Sequence, residues 1–316
     1  MKLKFKRIIP AILIVVILAS LTACGAKNQA DPNHNDQNTY PVKIKDQMGR
    51  EVVIEKEPER IVSLAPSNTE ILFALSLGDK VVGVTDYCDY PEEAKKKEKI
   101  GGFADPNMEK VISLKPDLVI ATSMHEKPVT KLEELNIPVI VLNPKNIDEI
   151  FGAIELIGRA TNKVQQAEEL VSGLKNRIKA VEDRVSSIPT DKRPQVFYEL
   201  WHSPITTAGP GTFVHDLIEK AGGRNIAADA EKEYPEYSQE MVIAKNPDII
   251  IYSYHGNNGQ SSEQDISNRP GWKNIKAVKE GKVFYVDEDI LQLPTPRLVD
   301  GLEQLAKIIH PEIFKD

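Results

Sequence analysis

Two twelve-residue stretches, one in each half of the chain, constrain the fold more than any other feature. Glu109 to Ile120 (EKVISLKPDLVI) and Glu240 to Ile251 (EMVIAKNPDIII) align without a gap and share Glu, Val, Ile, Pro, Asp and the final Ile. In each, a short helical run stops at Pro-Asp and gives way to a continuous apolar run. Such a run, bounded by breakers, reads as a strand buried on both faces, as in a parallel sheet covered by helices. The flanking elements recur in the same order, so the chain is read as two similar α/β lobes.

The rest of the pattern agrees. Val42 to Asp46 and Arg50 to Ile54 alternate around Gln47-Met48-Gly49 and predict a hairpin. Strands are predicted at Ile61 to Leu64, Val81 to Val84, Leu118 to Ala121 and Val139 to Leu142, with helices at Ser67 to Gly78, Val111 to Leu114, Lys127 to Leu135 and Asp148 to Gly158. In the second half, strands are predicted at Gln195 to Leu200, Ile249 to Tyr252 and Val283 to Val286. Helices are predicted there at Thr212 to Ala221, Met241 to Ala244, Trp272 to Val278 and Leu298 to Ile309.

Between the halves lies one long helical pattern, Asn162 to Ser187, with apolar residues at Val164, Ala167, Leu170, Val171, Leu174, Ile178, Val181 and Val185. Steps of three and four put them on one buried stripe. Asn162 with Gln165 suggests a capping pair, and Pro189 a stop. A coiled-coil arm is the alternative, but the stripe spans few heptads and α/β patterns flank it, so a rigid spine between lobes fits better. The expected layout is an export signal over 1–23, a polar tether over 24–39, a first lobe over 40–145, connecting helices over 146–191 and a second lobe over 192–316.

The N-terminus sets an expected location. Lys2, Lys4, Lys6 and Arg7 precede the apolar Ile8 to Ala19, and Leu21-Thr22-Ala23-Cys24-Gly25 resembles the bacterial lipobox. That resemblance implies cleavage before Cys24, lipid on its thiol, and anchoring on the extracytoplasmic face of the cell membrane. With Cys24 lipidated, Cys88 is the remaining cysteine, expected to be a small packed residue, and no intramolecular disulfide can form. A net charge of -7 argues against nucleic acid as a partner.

Ile61 to Glu70 (IVSLAPSNTE), Gly78 to Val84, Tyr87 to Pro91, the two repeats and Pro296-Arg297 together resemble the substrate-binding proteins of ABC importers for cobalamin, ferric siderophores and haem. The resemblance implies lobes joined by one rigid helix with a ligand cleft between them, and a monomer that delivers a corrinoid or ferric chelate to a permease dimer with its ATPase. It places Tyr87, Phe103, Tyr234 and Asp289 on ligand-lining positions. Leu200 and Thr122 stand where a cobalamin binder carries aromatic residues, Leu293 where it carries arginine, and Trp201 is a candidate replacement wall. Glu109 and Glu240 match residues that dock into permease arginines, where charge-assisted pairs set register and association rate. The plainer reading of each is an acidic residue near a helix N-terminus, and Glu70 reads as a helix-start residue.

Independently of resemblance, ligands of open α/β sheets bind beyond the carboxyl ends of the strands. Here those loops run over Tyr87 to Pro91, Thr122 to His125, Trp201 to Pro204 and Tyr252 to Gly256, and their aromatic residues suit a large flat ligand. His125, His202 and His255 follow predicted strands, which permits a rival reading of haem or metal held by imidazole. Arg297 reads either as a contact for an anionic ligand group or as a cap of the last helix. The chain shows no G-x-S-x-G elbow, H-E-x-x-H or P-loop, so neither a surface hydrolase nor a resident cofactor or metal is expected. A surface adhesin is a third reading, disfavoured by two clefted lobes.

Overall fold

The computed structural model describes residues 39–254 and 263–315. The expected export signal, Cys24, nearly all of the tether, and His255 lie outside the described residues.

The first lobe opens with the antiparallel hairpin β1 (Val42–Lys45) and β2 (Glu51–Ile54). There follow β3 (Ile61–Ser63), α1 (Pro66–Ala74), β4 (Val81–Val84), β5 (Glu98–Lys99), α2 (Met108–Ser113), β6 (Leu118–Thr122), α3 (Glu126–Glu134) and β7 (Val139–Leu142). The five strands from β3 onward form a parallel sheet in the order β5-β4-β3-β6-β7. Two helices connect the lobes, α4 (Ile147–Ala160) and the spine α5 (Val164–Val185). The second lobe contains β8 (Gln195–Glu199), a small hairpin of β9 (Trp201–His202) and β10 (Ile205–Thr206), α6 (Phe213–Lys220), β11 (Arg224–Asn225) and α7 (Gln239–Lys245). It closes with β12 (Ile249–Tyr252), α8 (Glu263–Ser267), α9 (Lys276–Lys279), β13 (Val283–Tyr285), α10 (Asp289–Gln292) and α11 (Leu298–Ile309).

The second parallel sheet has the order β11-β8-β12-β13. Counting from the first strand of each sheet, this is the arrangement 2-1-3-4 of β4-β3-β6-β7, with β5 added at the first lobe's edge. The sequence repeat has a structural meaning within it. Asp117 accepts the backbone N–H of Arg60, just before β3, at 2.8 Å, and Asp248 accepts that of Gln195, the first residue of β8, at 2.7 Å. Lys115 and Asn246, each just before the Pro-Asp pair, have φ of 50° and 47°. Each repeat thus ends a helix in a left-handed turn and ties the third strand of its sheet to the first.

The spine buries Ala167, Val171, Leu174, Ile178, Val181 and Val185, as its stripe requires. It packs against α4 toward the first lobe and against α6 and α11 toward the second. One apolar cluster therefore runs from Ile61 and Leu118 through the spine to Tyr198 and Leu302. Where α4 turns into α5 the backbones come close. A Cβ on Gly158 would lie 2.6 Å from that of Ala167, so glycine is required there.

Three local expectations are corrected. Asn162 does not cap the spine; it sits at φ 58°, bonds Glu57 through its side chain, and leaves the helix to begin at Val164 without a side-chain cap. The first helix ends at Ala74 rather than Gly78, because Leu75 caps it and a separate 3-10 turn spans Gly78–Lys80. The helix expected over 272–278 splits into a 3-10 turn, Trp272–Asn274, and α9, whose first N–H is taken by Asn246. Strands β5, β9, β10 and β11 are two residues long, too short to show a period in sequence.

Candidate functional site

Because every strand of both principal sheets is parallel to its neighbours, each sheet sends its carboxyl ends to one edge. Side chains of three kinds gather there.

On the first lobe, Tyr87 stands 63% exposed in the loop after β4, and partly buried Phe103 packs edge-on against His125 with ring centroids 5.2 Å apart. His125 is fully buried. Its Nδ1 accepts the backbone N–H of Thr122 at 3.0 Å, so the proton sits on Nε2, which donates to the Phe103 carbonyl at 2.7 Å. Burial pushes its pKa down, against the smaller upward pull of the Phe103 carbonyl. This corrects the rival expectation for His125: a buried neutral imidazole with both nitrogens occupied cannot hold a metal. Thr122 is spent on the same histidine.

On the second lobe, rings form a continuous chain. Trp201 and His202 lie 4.8 Å apart, His202 and Tyr254 5.4 Å, Tyr254 and Tyr252 5.5 Å, and Tyr252 and Tyr285 5.6 Å. Trp201, His202 and Tyr285 are exposed while Tyr252 and Tyr254 are buried, so the chain is anchored at its centre and open at its ends. Trp201 is therefore not core packing. The anchor is a buried network absent from the sequence expectations. The Glu199 carboxylate, fully buried at the end of β8, accepts two hydrogen bonds from Arg269, at 2.6 and 2.7 Å, and one from the Tyr254 hydroxyl. Burial first, and the neighbouring Glu199 second, raise the Tyr254 pKa. Arg269 also covers the face of Trp272 at 4.6 Å. Tyr234, 51% exposed, rides on a segment held beside β10 by the Thr207 N–H to the Pro235 carbonyl and the Gly209 N–H to the Glu233 carbonyl. Leu200 is drawn onto the core rather than presented as a wall.

At the third position the lobes meet. Arg297, just before α11, forms a bidentate pair with Glu70 of α1, its Nε donating to Oε2 at 2.7 Å and its Nη2 to Oε1. Its guanidinium lies 3.9 Å from the ring centroid of Tyr90, and Asp289 is 3.6 Å away. Burial, then the nearby Asp287, raises the Asp289 pKa. Glu70 is only 4% exposed, so it is no helix-start residue. Arg297 lends no side chain to capping α11. The expected site residues thus fall into separate groups: Phe103 with His125, Trp201 with the ring chain, Asp289 with Arg297, and Tyr87 and Tyr234 on exposed loops.

Glu109 and Glu240 occupy the second position of α2 and α7, after the caps Asn107 and Ser238. Both are exposed. A helix that leads into a parallel strand runs back along it, so each helix starts at the edge where the sheet's strands end. Its own backbone N–H and then the Ser238 hydroxyl hold the Glu240 carboxyl below the usual range. Cys88 is fully buried beside the Thr69 and Thr85 hydroxyls. Among the described residues there is no cluster of three or more metal-ligating side chains, and no helix is long and apolar enough to cross a membrane.

Comparison with known proteins matches residues 61–290 to the family described as periplasmic binding protein. Over 311 residues the chain is 38% identical to an uncharacterized ABC transporter substrate-binding lipoprotein of Bacillus subtilis, YvrC, covering 95% of this chain and 97% of that one. It is 33% identical over 254 residues to a vitamin B12-binding protein of Vibrio cholerae, covering 78% and 88%. Among solved structures, the periplasmic vitamin B12-binding protein BtuF of Vibrio cholerae superposes with a TM-score of 0.67 at 32% identity, covering 82% of this chain and 99% of that one. The heme-binding protein RhuT of Roseiflexus superposes at 0.71 with 29% identity, covering 80% and 98%.

Proposed function

Because this chain belongs to the periplasmic binding protein family, we propose that it is the lipid-anchored, extracytoplasmic substrate-binding component of an ABC importer. It captures cobalamin or a related corrinoid between its lobes and delivers it to a permease dimer. The observation that carries the reading is the ring chain from Trp201 to Tyr285 on the second lobe, together with exposed Tyr87 and the Phe103–His125 pair on the first. Rings held by a buried ionic network give a stiff apolar wall for a large flat ligand at little entropic cost. The relatives named for vitamin B12 support the same cargo. The protein acts by binding alone and transforms nothing. A second reading, a ferric siderophore or haem, rests on exposed His202, seated between Trp201 and Tyr254, and on the likeness to a heme-binding protein.

Glu109 and Glu240 dock to the permease in this account. Uptake of labelled cyanocobalamin by cells dependent on this protein tests it. Replacing both glutamates by alanine abolishes uptake and leaves cyanocobalamin affinity within about twofold, as expected of rim charges. Undiminished uptake by the double variant would refute the docking assignment.

A further inference from the structure

We infer that Glu70 and Arg297 form a clasp between the lobes that sets the width of the cleft and so positions its two walls around the ligand. The inference rests on the reading of that cleft as the ligand site. Glu70 belongs to α1 of the first lobe and Arg297 to the approach to α11 of the second, 227 residues apart in the chain. Three features make the contact directional. The guanidinium is held bidentate, which fixes its plane as well as its distance. The Tyr90 ring lies against it from the first lobe at 3.9 Å. Asp289, in the second lobe, lies 3.6 Å from it, so the clasp also fixes a neighbouring carboxylate. The carboxylate is 4% exposed, which removes most of the competition from water that makes surface pairs weak.

The neighbouring ionic contact, Arg177 with Asp300 and Glu303, joins the spine to α11 and not to α1. On its spine side the Glu70–Arg297 pair borders an open crevice of about 500 Å³ floored by Phe73, Leu170 and Leu174. Packing is thus incomplete there, so loss of the clasp leaves room for the lobes to shift about the spine. An arginine spent on Glu70 is also not available to an anionic group of the ligand, so it acts on the ligand only through the walls it positions.

The test uses Glu70→Gln/Arg297→Met. Removing Arg297 alone strands a buried carboxylate and endangers folding, whereas the double change removes both charges and keeps the volume. Lobe geometry is read by electron–electron spin distances between labels at Lys131→Cys and Lys273→Cys, both exposed sites, in a Cys24→Ser background with Cys88 buried. Cyanocobalamin binding is followed by tryptophan quenching. The double variant is expected to melt well above the assay temperature and to show a broadened inter-lobe distance distribution without ligand. Its cyanocobalamin dissociation is expected to rise at least about tenfold, with association within about threefold of the parent. An unchanged distribution overturns the clasp. A broadened one with unchanged dissociation overturns its role in positioning the walls. Failure of the parent protein itself to bind cyanocobalamin refutes the corrinoid reading instead, and the distance distribution still decides the clasp.

Discussion

Arg269→Met should destabilise the protein strongly. The Glu199 carboxylate is fully buried, and among the described residues Arg269 supplies two of the three hydrogen bonds it accepts. Methionine keeps most of the volume but leaves a buried negative charge, and breaking a buried pair from one side costs about 3–5 kcal/mol. Loss of the guanidinium over the Trp272 ring adds about 1 kcal/mol. At roughly 2–4 °C per kcal/mol for a domain of this size, melting should fall by about 8–24 °C. Urea unfolding followed by circular dichroism measures the loss directly. Glu199→Gln/Arg269→Met should recover much of the loss at pH 7, since no charge remains to strand. A deficit below about 1 kcal/mol at pH 7 would falsify the claim that this is a tightly coupled buried ion pair.

Trp201→Ala is expected to weaken cyanocobalamin binding at least about tenfold in calorimetry, with little change in melting because the indole is 41% exposed. Leu174→Ala, at the buried centre of the spine, should cost about 2–5 kcal/mol in urea unfolding. The His125 pKa is held below its ordinary 6.5 in the folded protein, so the unfolded chain takes up the proton first as pH falls. Its contribution is therefore intact above about pH 6.5 and declines below it, by at most about 1.4 kcal/mol per unit, until the folded pKa is reached. His125→Gln should flatten that part of the stability profile.

What was legible in the chain was local. The spine stripe and the paired Pro-Asp repeats depend on residues three, four or a few positions apart, and a period of that kind survives folding unchanged. The two-lobed parallel architecture follows from them. The buried ionic contacts were not legible. Glu199 ends an apolar strand and Arg269 sits in a loop 70 residues later, so neither carries a local sign of its partner. Glu70 was read as a helix-start residue because an acid in a first turn has a sufficient local explanation, and only the fold brings Arg297 to it. His125 misled for a related reason. A histidine after a strand does point toward the cleft edge, but its bonds to Thr122 and the Phe103 carbonyl depend on a loop more than twenty residues upstream. The aromatic chain was half visible, with Trp201 singled out and Tyr285, carried by the in-register pairing of β12 and β13, missed.

The most direct test of the account is calorimetric titration of the protein with cyanocobalamin, a ferric hydroxamate, a ferric catecholate and haem under one set of conditions. The account predicts tight one-to-one binding of cyanocobalamin and weak or no heat with the other three. Tight binding of a ferric chelate or haem in its place would contradict the corrinoid assignment and return attention to His202.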